Sequence, residues 1–234
     1  MFGSTENHDP ESAAERTVLV PDTIPLFPLP RTVLLPGELL PLHVFEERYR
    51  AMVREAISGH RVIGIVAVAP GHEKEQLGTP PLQDIGCVGF VAQHRELDDG
   101  RFLIWLVGLE VFRIDQELDT DTPYRLAKVT YLTGRESAIE LAGIQPLRTE
   151  LRSLLPGLVD SDEEVRRSMA EQLGDVTDTQ LVALASHVLE LPFERKQLLL
   201  ETGSVADRFK LVYEDLYARG DSDGLDLDDA EVLN

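Results

Sequence analysis

The pattern of apolar and polar residues divides the chain near residue 133. Before that point, short apolar runs alternate with polar loops, and 10 of the 14 prolines lie at or before Pro81. After it, apolar residues recur at spacings of three and four, which is typical of amphipathic helices. We therefore expect a β-rich part over residues 21–133 and a helical part over residues 134–219.

A proline-rich run opens the β-rich part. It reads IPLFPLPRTVLLPGELLPLHV over residues 24–44 and is otherwise almost entirely aliphatic. Proline has no amide donor and is disfavoured in helices and central strands, so the run predicts edge strands and crossovers whose aliphatic side chains face a core. Beyond Pro41 the apolar spacing becomes helical, and Gly59 is placed to end the helix. The apolar positions of this predicted helix are Phe45, Tyr49, Met52, Val53, Ala56 and Ile57.

Five further apolar runs predict short strands. The sequence Asp98-Asp99-Gly100 lies between two of them, and Asp-Gly in that position is a hairpin signal because both turn positions require positive φ. Many short strands with one embedded helix predict a closed or nearly closed antiparallel sheet. The five runs cover residues 62–69, 85–97, 101–108, 111–114 and 124–132.

Residues that cap helices mark several starts in the helical part. Pro192 predicts the first turn of a short helix that ends at Leu200, whereas Pro146 either kinks the first helix or starts a new one. Residues 1–20 and 220–234 are polar, and the last 15 residues hold six acids and no base, so we expect both ends to be disordered. The candidate capping boxes are Ser137-x-x-Glu140, Ser161-x-x-Glu164, Thr177-x-x-Gln180 and the variant Ser204-x-x-Asp207.

The charge of the chain limits its partners. With 42 acidic and 22 basic residues the formal net charge is -20, which disfavours nucleic acid and anionic membranes as partners. The single cysteine, Cys87, excludes an intrachain disulfide and favours a reducing compartment. The first 17 residues lack the apolar segment of a secretion signal, and no run is long enough to span a membrane. We therefore expect a cytoplasmic protein.

Motifs that carry catalytic or metal chemistry are absent from the sequence. It contains no phosphate-binding G-x-x-x-x-G-K-[ST], no H-E-x-x-H and no G-x-S-x-G. The six histidines share no ligand-like spacing, and the acidic tail matches a calcium loop poorly, so we expect no metal and no cofactor. We interpret His43 as a hydrogen-bonded structural histidine, Cys87 as a small core residue and Trp105 as a core residue.

The proline-rich run and several later blocks resemble the Lon substrate-binding domain, the amino-terminal domain of Lon-type ATP-dependent proteases and of small proteins that carry it alone. The opening signature extends from Ile24 to Val53, and its F-E-x-R-Y form at residues 45–49 is closer to the stand-alone members. The resemblance covers residues 23–217. Later blocks in the family's order are IGCV at 85–88, DGRF at 99–102, GLEVFRI at 108–114 and LPFERKQLLLETGSVADRF at 191–209.

The resemblance implies an α+β fold, a PUA-like β pseudo-barrel with one embedded helix followed by a C-terminal helical bundle. It also implies a non-catalytic polypeptide-binding role, in recruiting unfolded or tagged polypeptides or in regulating a separate Lon-type protease. The chain ends before the family's ATPase or protease domains could begin, so we expect no enzymatic activity. The candidate peptide-binding residues are Phe45, Glu46, Arg48 and Tyr49.

Several alternatives stay open at this point. In a structural interpretation, Phe45 and Tyr49 seat the helix on the sheet while Glu46 and Arg48 hold it by ion pairs. RNA binding, which PUA-like barrels elsewhere perform, is disfavoured by the charge, and an unrecognised hydrolase is a third alternative. The family usually has an arginine where this chain has Val111, which alters either an ion pair of the fold or a ligand contact. Whether the helical bundle forms a homodimer is also open.

Overall fold

The structure, a computed structural model, describes residues 20–72, 79–132 and 138–223. The two segments predicted to be disordered are 1–20 and 220–234. Residues 1–19 and 224–234 lie outside the described ranges, and Val20 lies inside them. The last helix continues to Asp223, four residues into that tail. The β-rich part consists of β1 Thr23–Leu29, β2 Leu39–Val44, α1 Glu47–Ser58, β3 Val62–Val68, β4 Leu82–Glu96, β5 Phe102–Leu118 and β6 Arg125–Tyr131. The helices that follow are α2 Ala138–Gly143, α3 Gln145–Leu158, α4 Glu163–Gln172, α5 Asp178–Val188, α6 Phe193–Glu201 and α7 Val205–Asp223.

The six strands form one sheet that closes on itself. Their order is β2-β5-β4-β3-β1-β6, and β6 also pairs with β5. Closure is possible because β5 is 17 residues long and pairs along the same side with β2 through its first half and with β6 through its second half. The prediction of a closed sheet with one embedded helix is therefore confirmed.

One strand pair departs from the predicted antiparallel arrangement. β1 and β3 are parallel, with Leu26 opposite Gly64 and Leu29 opposite Ala67. The chain between them passes through β2 and α1, and such a long crossover returns the chain to the end from which a parallel strand can start. The prediction of an antiparallel sheet was wrong at this one pair.

The prolines of the opening run occupy two different strand environments. β2, which contains Pro41, pairs with β5 alone and is an edge strand, as predicted. β1, which contains Pro25 and Pro28, has a neighbour on each side, so the prediction of an edge strand was wrong there. Its first half pairs with β6 and its second half with β3, overlapping only at Leu26, so each proline has a partner strand on one side only. A residue without an amide donor is tolerated in such an edge-like position.

The hairpin between β4 and β5 forms where Asp98-Asp99-Gly100 predicts it, but its turn is of another type. Gly100 alone has positive φ, at +77°, and its amide donates to the carbonyl of Leu97 at 2.8 Å. The Leu97 amide donates to the carbonyl of Arg101, also at 2.8 Å. This pattern is typical of the longer hairpin loops in which one left-handed glycine follows a type I turn.

The helix starts agree with the capping signals in two of the three cases that the structure describes. Thr177 and Gln180 form a reciprocal capping box at α5, and the amide of Asp207 donates to Ser204 Oγ at 3.0 Å. At α4 the cap is Asp162 rather than Ser161, because Asp162 accepts from the amide of Val165. The box at Ser137 lies outside the described residues. Elsewhere, Pro146 is the second residue of α3 and starts a new helix, and Pro192 directly precedes α6.

The barrel and the helices share one apolar core. The larger of two buried clusters contains barrel residues such as Phe27 and Ile65 together with helical residues such as Leu151 and Phe209. Polar contacts also cross the junction at α6, where Gln197 Nε2 donates to the carbonyl of Ile85 at 3.4 Å. Among the described helices, none has the length and apolar content needed to cross a membrane.

Candidate functional site

An apolar surface lies on the outer face of β2 and β5. Along β2 the side chains alternate, with Leu40, Leu42 and Val44 directed toward the core and the residues between them exposed. The exposed residues stand opposite β5 residues that are only partly buried, because they alternate with the buried Phe102 and Ile104. We call this surface the β2–β5 face. Its three cross-strand pairs are Leu39 with Val107, Pro41 with Trp105, and His43 with Leu103.

Two large apolar side chains stand at the ends of β2. Leu39 is 58% exposed at its start, and Phe45, which directly follows the strand, is 61% exposed. The ring of Phe45 lies 6.2 Å from the ring of His43. Together with the β2–β5 face they form a mainly apolar surface that also contains His43, and apolar surfaces on soluble proteins often mark binding sites.

The free edge of β2 also presents backbone groups. The amide of Gly108 donates to the carbonyl of Glu38 at 2.9 Å, which sets the phase of the antiparallel ladder. Because backbone groups in such a ladder alternate in direction, Leu40, Leu42 and Val44 bond to β5, whereas Leu39, Pro41 and His43 point outward. Pro41 therefore removes no bond to β5. No residue in the described part of the chain pairs with the outward amides of Leu39 and His43.

The four residues predicted for peptide binding lie together at the end of β2, in different environments. Phe45 is exposed, whereas Tyr49 is 7% exposed and its ring centroid lies 4.3 Å from that of Phe27. Arg48 lies over the Tyr49 ring at 4.6 Å and pairs with Glu46 at 2.9 Å. Burial raises the pKa of the Tyr49 hydroxyl. Tyr49 is thus a core residue, Glu46 and Arg48 pair with each other at the surface beside it, and Phe45 is the exposed apolar residue among the four.

A groove begins where the β2 edge starts. Its volume is about 340 Å³, and Leu39 belongs both to this groove and to the β2–β5 face. The loop before β2 lies close to α5, because a Cβ on Gly37 would be 2.8 Å from Gln180 Cγ and the φ of Gly37 is +82°. We call this cavity between the start of β2 and α5 the β2–α5 groove. Its lining residues are Gly37, Glu38, Leu39, Val176, Gln180, Ala183, Leu184 and His187.

Glu38 supplies a carboxylate to this mainly apolar groove. Its side chain is 16% exposed, Oε2 accepts a hydrogen bond from the Leu35 amide at 2.8 Å, and Oε1 lies 3.9 Å from Lys196 Nζ. Burial raises the pKa of Glu38, and the Leu35 amide, Lys196 and His187 offset part of that rise. The carboxylate is therefore poorly solvated and weakly paired.

The sequence comparisons identify the family. The family described as "ATP-dependent protease La (LON) substrate-binding domain" matches residues 23–217 of this chain. The chain belongs to the Lon substrate-binding domain family. Lon protease of Anaeromyxobacter dehalogenans is 28% identical over 83% of this chain, and Lon protease of Parabacteroides distasonis is 32% identical over 55% of it. The chain spans less than a quarter of the length of these relatives, 23% and 15% respectively.

Solved structures of Lon amino-terminal domains share the fold. The N-terminal domain of Mycobacterium avium complex Lon protease aligns with a TM-score of 0.65 and 17% identity, over 83% of this chain and 98% of that chain. A Lon N-terminal domain protein from Xanthomonas campestris aligns with a TM-score of 0.58 and 23% identity, over 84% of this chain and 97% of that chain. Both likenesses place the barrel and the helical region within the Lon N-terminal fold.

The structure places four single residues that the sequence analysis interpreted. Cys87 is fully buried and burial raises its pKa, so the thiol is a core group, as predicted. Trp105 and His43 lie on the β2–β5 face, so the predictions of a core tryptophan and a hydrogen-bonded structural histidine were wrong. Val111 is 5% exposed and stands opposite Cys87, so it belongs to the core. Within the described ranges no three potential metal ligands come together.

The sequence did contain a signal for the β2–β5 face. The run RFLIWLVG is apolar in both phases of a strand, whereas a strand with one solvated face alternates apolar and polar residues. Such a run indicates a strand that is covered on both faces. The barrel core covers Phe102, Ile104 and Leu106, and the residues that alternate with them lie on the β2–β5 face.

Proposed function

We propose that this protein binds extended polypeptide segments at the β2–β5 face, without cutting them, in recruiting unfolded or tagged polypeptides or in regulating a separate Lon-type protease. The observation that carries the proposal is the exposed edge strand β2, which combines outward backbone groups with exposed Leu39 and Phe45. An extended segment added to a sheet edge gains affinity from backbone hydrogen bonds and specificity from its alternate side chains.

The geometry of β2 defines how such a segment would be held. Leu39 and His43 each offer an amide and a carbonyl, and Pro41 offers a carbonyl. Each hydrogen bond contributes only about 0.5–1.5 kcal/mol after exchange with water. Apolar contacts with Phe45, Leu39 and the partly exposed Trp105 must therefore supply much of the binding free energy.

The four predicted residues have separate roles in this proposal. Phe45 contacts the bound segment, because its ring projects from the end of β2. Glu46 and Arg48 lie at the rim, and Tyr49 supports them from the buried side through its packing on Phe27. Truncation of Phe45 should therefore weaken binding, whereas truncation of Tyr49 should first lower stability.

Binding can be followed with the protein's own fluorescence, because Trp105 is its only tryptophan and lies on the proposed surface. The probe is ribonuclease A, reduced and alkylated so that it stays unfolded, which contains no tryptophan. We expect a shift of the Trp105 emission on titration, and about a three- to tenfold increase in Kd for Phe45→Ser and for Leu39→Ser, since each removes about 1 kcal/mol of apolar contact.

The matched control is Leu198→Ser, which removes an exposed leucine from α6, outside the β2–β5 face. We expect it to bind like the unchanged protein. Equal Kd values for Leu39→Ser, Phe45→Ser and Leu198→Ser would place the binding surface elsewhere. Absence of any binding to the unfolded probe would overturn the proposed function itself.

A further inference from the structure

The β2–α5 groove continues the β2 edge at the end where β2 begins. Leu39 belongs to both surfaces, so an extended segment that runs along β2 past Leu39 enters the groove. Val176, Ala183 and Leu184 make most of the opposite wall apolar. A volume of about 340 Å³ is enough to receive one long side chain with its terminal group.

Glu38 is the acidic residue that lines this groove. Its Oε2 is occupied by the Leu35 amide, but no residue in the described part of the chain donates a hydrogen bond to Oε1. Its ion-pair partner Lys196 has Nζ 3.9 Å from Oε1, which is outside hydrogen-bond distance. One carboxylate oxygen therefore remains able to accept a hydrogen bond from a cation that enters the groove.

We propose that Glu38 makes the protein prefer polypeptide segments that carry a basic residue, above all lysine, among apolar ones. The apolar walls contact the methylene stem of the lysine, and its ammonium group donates to Glu38 Oε1. The formal net charge of -20 favours the same partners at longer range. This inference rests on the proposed function, since it assigns a preference to the same polypeptide site.

The test uses three short fluorescent peptides that alternate valine and threonine and differ only in the central residue, which is lysine, norleucine or glutamate. Norleucine keeps the methylene stem of lysine and removes its charge. We expect the protein to bind the lysine peptide about three- to tenfold more tightly than the norleucine peptide, as measured by anisotropy, and the glutamate peptide most weakly.

Two substitutions act on this preference in opposite directions. Glu38→Gln should abolish it, mainly by weakening the binding of the lysine peptide, because glutamine still accepts the Leu35 hydrogen bond but lacks the charge that the ammonium group pairs with. Lys196→Met should increase it, since Lys196 competes for the same carboxylate. The charge control is Glu171→Gln, which removes one acid from the exposed surface of α4 and should leave the preference intact.

The outcomes separate this inference from the proposed function. If the lysine and norleucine peptides bind with the same Kd, and Glu38→Gln changes neither, the preference is absent while polypeptide binding stands. If neither peptide binds and the unfolded ribonuclease probe does not bind either, both proposals fail. Thermal unfolding of Glu38→Gln at or above the temperature of the unchanged protein confirms that the substitution leaves the fold intact.

Discussion

Gly108 determines how closely the loop before β2 approaches the barrel. A Cβ at this position would lie 2.1 Å from the carbonyl oxygen of Leu35 and 2.9 Å from its carbonyl carbon, and neither atom can move without moving the loop. The backbone of Gly108 also bonds to Gly37 and Glu38 at 2.8 and 2.9 Å. We expect Gly108→Ala to lower the free energy of unfolding in urea by about 2–3 kcal/mol.

The control for Gly108 is another glycine with open space around it. A Cβ at Gly157 in α3 would meet nothing within 4 Å, so Gly157→Ala should raise the free energy of unfolding by about 0.5–1 kcal/mol through its helix propensity. If Gly108→Ala proves as stable as the unchanged protein, the loop does not lie against β5 as described, and the β2–α5 groove has another shape.

Single residues show what a sequence can and cannot predict about side-chain direction. Cys87 was predicted as buried because it lies between glycines in an apolar run, and that is confirmed. Trp105 was misplaced because both phases of its strand are apolar, so a period of two cannot tell which phase faces the core. Which phase faces outward also depends on pairing with β2, whose residues are distant in sequence.

At the scale of elements, α5 depends on its capping box and carries one wall of the β2–α5 groove. Thr177 Oγ1 accepts from the Gln180 amide at 3.3 Å, and Gln180 Oε1 accepts from the Thr177 amide at 2.9 Å. We expect Thr177→Ala to lower the free energy of unfolding by about 1 kcal/mol. Thr177→Ser keeps the accepting oxygen and should be near neutral in the same urea titration. Equal losses in both variants would show that the threonine methyl group, and not the cap, stabilises α5.

Helix starts were easier to predict than strand positions because a capping signal is local. The sequence placed the start of α5 correctly and missed that of α4 by one residue, since Ser161 and the adjacent Asp162 are both good capping residues. The strand β1 was misjudged because its prolines suggested an edge. A proline is tolerated in a strand if one side of the strand has no partner at that position. The strands that pair with β1, β3 and β6, are remote in sequence, so the sequence does not show where such positions lie.

On the scale of the whole molecule, closure of the barrel depends on the length of β5. The sequence suggested two strands, over residues 101–108 and 111–114, with Gly108 as the last residue of the first. In the structure Gly108 permits a close approach within one continuous strand, which joins β2, β4 and β6. The prediction of two separate strands was therefore wrong, while the closed architecture was predicted correctly.

The shared core predicts that the barrel and the helices unfold together. Far-ultraviolet circular dichroism reports mainly the helices, and the fluorescence of the single tryptophan reports the barrel, so the two signals should give coincident urea transitions. Leu199→Ala on α6, where leucine is fully buried, should shift both transitions by about 2–4 kcal/mol. The neighbouring Leu198 is 41% exposed, and Leu198→Ala should shift neither by more than about 0.5 kcal/mol. Separate transitions, with only the circular dichroism signal responding to Leu199→Ala, would mean that the barrel folds independently and that the β2–α5 groove exists only while the helices are docked.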